Sequence, residues 1–186
     1  HGRRRRRRRR GATACCEQAG EEVRCAGIKN LGSARPPVVT HVFDTPGSAT
    51  LAATSEDEMV ARDLLLAGLI DGVALVADSS NLRRSLALAL EVAEFGLPMV
   101  LVLNMIDEAE AQGIEVDPGA LSRELGVDVV RTIAVEGVGV RRLSERLLDA
   151  RRPRRLVQLQ PDLEGALTRI EALLPPGPLP PRALGM

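Results

Sequence analysis

Two uninterrupted apolar runs restrict this chain more than any other feature: Val73-Ala74-Leu75-Val76-Ala77 after Gly72, and Met99-Val100-Leu101-Val102-Leu103 after Pro98. A strand that is apolar on both faces must be covered on both, which is the condition inside a parallel sheet flanked by helices. The stretches Val38 to Phe43 and Asp128 to Ile133 read as further strands, and Val23-Arg24-Cys25-Ala26 as a short, weak one. Helical patterns lie between them. Ser55 with Glu58, or Thr54 with Asp57, supplies a capping box for a helix through about Leu69. Leu82, Leu86, Ala89, Leu90 and Ala93 recur at helical spacing and are closed by Gly96 and Pro98. Asp117-Pro118 provides the N-cap and first position of a helix ending near Gly126, and residues 139–151 and 161–174 give two more. Strands alternating with helices predict an α/β fold of three layers, with a mostly parallel sheet between helices.

Composition narrows the function classes. Phe43 and Phe95 are the only aromatic residues of 186, so the core must be built from Leu, Val, Ile and Ala. Without aromatic stacking platforms, single-stranded nucleic-acid readout is disfavoured, and no specific nucleic-acid binding is expected. The formal net charge of zero hides a split: Arg3 to Arg10 stand together, leaving 17 basic against 25 acidic groups, a net of −8, over residues 11–186. So dense a block of like charge self-repels, and residues 1–22 read as a disordered leader. It is either an anion-attracting arm or a non-native stretch, and the second reading is preferred. Cys15, Cys16 and Cys25 have neither disulfide-framework nor metal-ligand spacing, as expected of reduced thiols in a cytoplasmic protein. No run of about 18 uncharged apolar residues is present. The expected organisation is a domain over 23–151, the start of a helical extension over 152–174, and a Pro-rich tail over 175–186.

Chemistry concentrates where the strands end. Asn104-Met105-Ile106-Asp107 follows directly on the second apolar run. An ionised Asp accepts only, so it can take the adjacent N1–H and N2–H donors of guanine together. Adenine lacks that donor pair and would leave the carboxylate desolvated and unpaired, at about 1–3 kcal/mol or more. Asn104, Met105 and Asp107 are therefore candidates for the guanine side of a GTP or GDP site. Sixty residues upstream, Asp44-Thr45-Pro46-Gly47 ends another strand in the D-x-x-G form used beside a γ-phosphate. Asp44 would hold Mg²⁺ through water, and Gly47 would let a backbone N–H approach the phosphate. The same four residues also make an ordinary turn. Ile133-Ala134-Val135-Glu136-Gly137-Val138-Gly139 fits a loop whose backbone N–H groups meet guanine O6, with Ile133 at its usual Ser position and Ala134 beside it.

These stretches resemble the cytoplasmic G domain of the ferrous iron transport protein B family. The resemblance runs from about Val38 to Leu148 and rests also on Thr54 to Asp63, Asp78-Ser79-Ser80-Asn81-Leu82, Gly113 to Asp117 and Leu121 to Gly126. Its most specific parts are the Ser-Glu-Asp-Glu helix start and Asn104-Met105-Ile106-Asp107-Glu108-Ala109. The resemblance implies a P-loop-NTPase-like domain of the small G protein kind that binds GTP and hydrolyses it slowly. It also implies coupling to a membrane Fe²⁺ permease on a separate or missing segment, hence a place at the inner face of the plasma membrane.

The chain departs from that pattern on the phosphate side. A G-x-x-x-x-G-K-[ST] loop is expected, and Gly27-Ile28-Lys29-Asn30-Leu31-Gly32-Ser33-Ala34 offers Ser33 where the Lys belongs and Ala34 where the Mg²⁺ ligand belongs. Gly27, Asn30, Gly32 and Ser33 remain the phosphate-side candidates. Only twelve positions separate Gly32 from Asp44, too few for the helix, switch I loop and strand of the family, and Arg35-Pro36-Pro37 cannot be that helix. The expectation is guanine-nucleotide binding with impaired hydrolysis. The alternatives are a non-catalytic remnant or interaction module, and an unrelated doubly wound domain.

Overall fold

The structure is a computed structural model that describes residues 24–28, 40–52, 55–154 and 159–174. Its elements are β1 (Arg24–Ile28), β2 (Thr40–Asp44), α1 (Glu56–Leu66), β3 (Val73–Asp78), α2 (Leu82–Glu94), β4 (Met99–Asn104), α3 (Ile106–Ala111), α4 (Pro118–Leu125), β5 (Asp128–Arg131), α5 (Val140–Leu148) and α6 (Pro161–Leu173). The local signals act as expected. The Ser55 hydroxyl accepts from the Glu58 N–H to start α1, and Asp117 accepts from Gly119 and Ala120 ahead of Pro118 to start α4. Gly126 closes α4 in the left-handed conformation, its N–H returning to the Ser122 carbonyl.

β3, β4 and β5 form a parallel sheet in that order, with Val73 opposite Met99, Asp78 opposite Asn104 and Leu103 opposite Arg131. β4 lies in the middle, and its side chains alternate between two packed faces. Met99, Leu101 and Leu103 meet Ala89 and Val92 of α2, Phe95 at its C-terminal cap, and Leu125 of α4. Val100 and Val102, with Val130 of β5, meet Leu143 and Leu147 of α5. Helix, sheet and helix are the three layers that the apolar runs require.

Two features differ from the sequence reading. β3 was expected to be buried on both faces, yet Val76 is 63% exposed while Leu75 and Ala77 are buried. Among the described residues, α5 packs on β4 and β5 and leaves that face of β3 uncovered. Further, β1 and β2 do not join the parallel sheet but pair antiparallel, Arg24 opposite Asp44 and Ile28 opposite Thr40. Eleven residues link them, a length that suits an antiparallel return better than a parallel crossover, which takes a dozen or more residues and usually a helix.

After α5 the chain returns across the domain. The Arg151 carbonyl accepts from the Met99 N–H at 2.8 Å, and Arg152 donates to the Gly96 carbonyl behind α2. The Arg154 N–H and guanidinium reach the Leu125 and Arg123 carbonyls at 2.8 and 3.1 Å. The Arg154 guanidinium thus satisfies a carbonyl in the last turn of α4, where cations are favoured, and Arg152 one just past the end of α2. Among the described residues, no helix is long and apolar enough to cross a membrane.

Candidate functional site

β4 delivers Asn104 to the carboxyl edge of the sheet, and the chain then turns sharply. Met105 adopts φ 57°, ψ 38°, the one non-glycine residue at positive φ among those described. A left-handed residue of this kind costs roughly 1–2 kcal/mol, so its surroundings must fix it. Ile106, the next residue, is buried as the first residue of α3. The fully buried Ser79 donates its hydroxyl to the Asn104 carbonyl at 2.6 Å, and the Met105 carbonyl accepts from the Ala109 N–H. The turn places Asp107 in the exposed first turn of α3.

The Asn104 side chain holds the neighbouring loop. Its Oδ1 accepts from Thr132 Oγ1 and from the Ala134 N–H, each at 3.1 Å. A backbone N–H only donates, so this contact fixes which end of the amide is oxygen and leaves Nδ2 as the group on offer. The loop is also braced within itself. Ile133 and Val138 exchange two backbone hydrogen bonds of 3.2 Å around a 3-10 turn, Ala134–Glu136. Gly139, at φ 79°, closes it, and a Cβ there would stand 2.2 Å from the Arg131 carbonyl oxygen. Nothing larger fits that crossing.

Between these two loops lies an open hollow of about 190 Å³. It is lined by all five residues expected on the guanine side, Asn104, Met105, Asp107, Ile133 and Ala134, together with Glu108 and Val135. Thus β4 and β5, distant in sequence, bring the base-reading candidates to one place. One detail differs from expectation. The Ala134 N–H is already engaged by Asn104, whereas the Val135 N–H has no partner among the described residues, and Val135 is 96% exposed.

The phosphate-side candidates are not gathered in this way. Asp44 ends β2 and is exposed, and Gly47 lies exposed in the loop that follows. Gly27 sits inside β1 opposite His41. Asn30, Gly32 and Ser33 lie outside the described residues. Among the described residues, no group of three or more His, Cys, Asp or Glu side chains is arranged to hold a metal ion. Beyond Gly47 the chain is anchored on α2. The Glu91 carboxylate accepts from Thr50 Oγ1 at 2.9 Å and from the Leu51 N–H at 2.5 Å.

Sequence reasoning missed Ser79, Thr132 and Glu91 as supports. Ser79 stood in a recognised stretch without a role, and Thr132 read simply as a β-branched strand residue. Only the strand register shows that both face Asn104.

The three-layer fold, with Asn-x-x-Asp at the end of its central parallel strand, is that of a P-loop GTPase G domain. The profile described as Ferrous iron transport protein B matches residues 29–147. The Fe(2+) transporters FeoB of Salmonella typhimurium and of Escherichia coli K12 are 40% and 39% identical over 106 residues, 55% of this chain and 14% of each relative. The cytosolic domain of the T. maritima FeoB iron transporter in apo form superposes with a TM-score of 0.75 at 28% identity, covering 92% of this chain and 74% of that one. Its GMPPNP form gives 0.72 at 28% identity, with the same coverage. A doubly substituted S. thermophilus NFeoB bound to GDP·AlF4⁻ gives 0.65 at 33% identity over 78% of this chain and 57% of that one. The chain belongs to the ferrous iron transport protein B family. It spans only a small part of the curated transporters it matches.

Proposed function

We propose that this chain binds GTP and GDP as the cytoplasmic regulatory part of a ferrous iron transporter, with weak or lost hydrolysis. The observation that carries the reading is the Asn104 side chain bound to the Ala134 loop, with Asp107 on the rim of the same hollow. In it the Asp107 carboxylate accepts guanine N1–H and N2–H, and the free Asn104 Nδ2 donates to an acceptor on the base. With the Ala134 N–H committed to Asn104, the Val135 N–H is the donor left for O6. The nucleotide-bound states named for the T. maritima and S. thermophilus relatives support the same ligand class.

On the phosphate side, Asp44 would meet Mg²⁺ through water, and Gly47 the γ-phosphate. Mg²⁺ neutralises charge on the phosphates when bound. Ser33 and Ala34 stand where the phosphate Lys and the Mg²⁺ hydroxyl are expected. Loss of one such contact commonly costs on the order of 10²–10³ in rate, which supports slow or absent turnover. The partner implied by the relatives is a membrane Fe²⁺ permease, which would place the domain at the inner face of the plasma membrane.

Titration with fluorescent GDP, with ADP as competitor, tests the reading. Saturable GDP binding that excess ADP does not displace is expected. No saturation at protein concentrations of hundreds of micromolar would favour a non-catalytic interaction module.

A further inference from the structure

The geometry points to Glu91 as a positioning residue that favours a nucleoside triphosphate over a diphosphate. The role is exerted on the loop after Gly47 and rests on the reading that Gly47 meets the γ-phosphate. Glu91 belongs to none of the nucleotide-reading motifs and lies half-buried on α2. Its carboxylate accepts from Thr50 Oγ1 at 2.9 Å through either oxygen, and from the Leu51 N–H at 2.5 Å. Thr50 Oγ1 also accepts from the Ala52 N–H at 3.2 Å. A carboxylate only accepts, so the hydroxyl proton goes to Glu91 and a lone pair to Ala52. Three consecutive residues are thereby tied to one side chain. The base of the tie is firm, because Ala89 and Val92 of α2 are buried in the core and Leu51 packs against the same cluster.

The consequence falls on Gly47. It is exposed, and a Cβ built on it would meet nothing within 4 Å. Its N–H has no partner among the described residues. The place of that N–H is therefore set by the two ends of the segment, Asp44 at the close of β2 and Thr50 on Glu91. Three residues span at most about 10 Å, so the tie at Thr50 leaves Gly47 on a short tether. Ordering a loop on binding opposes affinity, and a loop ordered beforehand avoids that cost. A triphosphate gains from the tether because it offers Gly47 a γ-phosphate. A diphosphate offers none and gains nothing.

The test compares the affinities for GTPγS, a triphosphate that resists hydrolysis, and for GDP, with Mg²⁺ present. Glu91→Ala is expected to weaken GTPγS binding about 10-fold relative to GDP, the size of a hydrogen bond to a charged group. Thr50→Val should lower the same ratio, and Thr50→Ser, which keeps the hydroxyl, should restore it. In a Gly47→Pro background, which has no N–H to offer, Glu91→Ala should leave the ratio unmoved. An equal loss of both nucleotides, or an equal fall of the ratio in both backgrounds, would show a merely structural role and overturn the inference. So would a Glu91→Ala protein whose ratio matches that of the unaltered chain. A second measurement needs no nucleotide. Amide hydrogen exchange of the ligand-free protein should quicken at Leu51 and Ala52 in Glu91→Ala while α2 amides stay protected. Unchanged exchange there overturns the tie even if both nucleotides bind. Failure of the unaltered chain to bind either nucleotide overturns instead the reading on which the role rests.

Discussion

Asn104 joins the ends of two strands through one side-chain oxygen, and the backbone around it has little freedom. Ser79 illustrates the cost of disturbing it. Ser79 is fully buried and its hydroxyl donates to the Asn104 carbonyl, so Ser79→Ala takes a partner from the half-buried Asn104. The expected loss is about 1–3 kcal/mol of stability, read from urea unfolding at unchanged slope. Gly139→Ala should cost more than about 2 kcal/mol, because it combines left-handed strain with a Cβ driven into the Arg131 carbonyl. At this scale the residues that line the hollow were legible, because the chemistry proposed for them dictates their type and spacing. Their supports were not. Ser79 and Thr132 are ordinary residue types whose role depends on strand register, and register is a long-range property.

The helices were legible from their caps and the parallel strands from their apolar runs, since both signals are local. Asp117 shows such a signal carrying a pH dependence. Hydrogen bonds from the Ala120 and Gly119 N–H groups, helped by Arg123, hold its carboxyl below the ordinary aspartate range. A carboxyl depressed in the folded state stabilises it above the unfolded pKa, and that contribution is lost as pH falls through the lowered folded value. Asp117→Ala should therefore be less stable than the unaltered chain near neutrality, and the difference should shrink on acidification below the ordinary aspartate range. Denaturant midpoints of both proteins across that window check this. α3 escaped notice because six residues are too few for a periodic pattern. The antiparallel pairing of β1 with β2 escaped for another reason: a strand's sequence marks it as a strand but does not name its neighbour.

Across the whole molecule, β4 is the support shared by core and site. Its five apolar side chains are buried between helices on both faces, and its last residue is Asn104. Leu101→Ala should cost about 2–5 kcal/mol in thermal or chemical unfolding, as truncation in a tightly packed core does. The continuous apolar pattern foretold this strand well and β3 less well, because one face of β3 has no helix over it among the described residues. The proposed base-reading half of the site is assembled by the sheet, whereas the phosphate-side candidates are spread over β1, β2, the loop after it and positions outside the described residues. Base identity should therefore govern binding. The direct test is titration of the unaltered chain and Asp107→Asn with GDP and with xanthosine diphosphate. The unaltered chain should prefer GDP, and Asp107→Asn should lose about 10-fold or more of GDP affinity, the size of a charged hydrogen bond, while gaining xanthosine diphosphate. Equal affinity of both proteins for both nucleotides would contradict guanine recognition at this site.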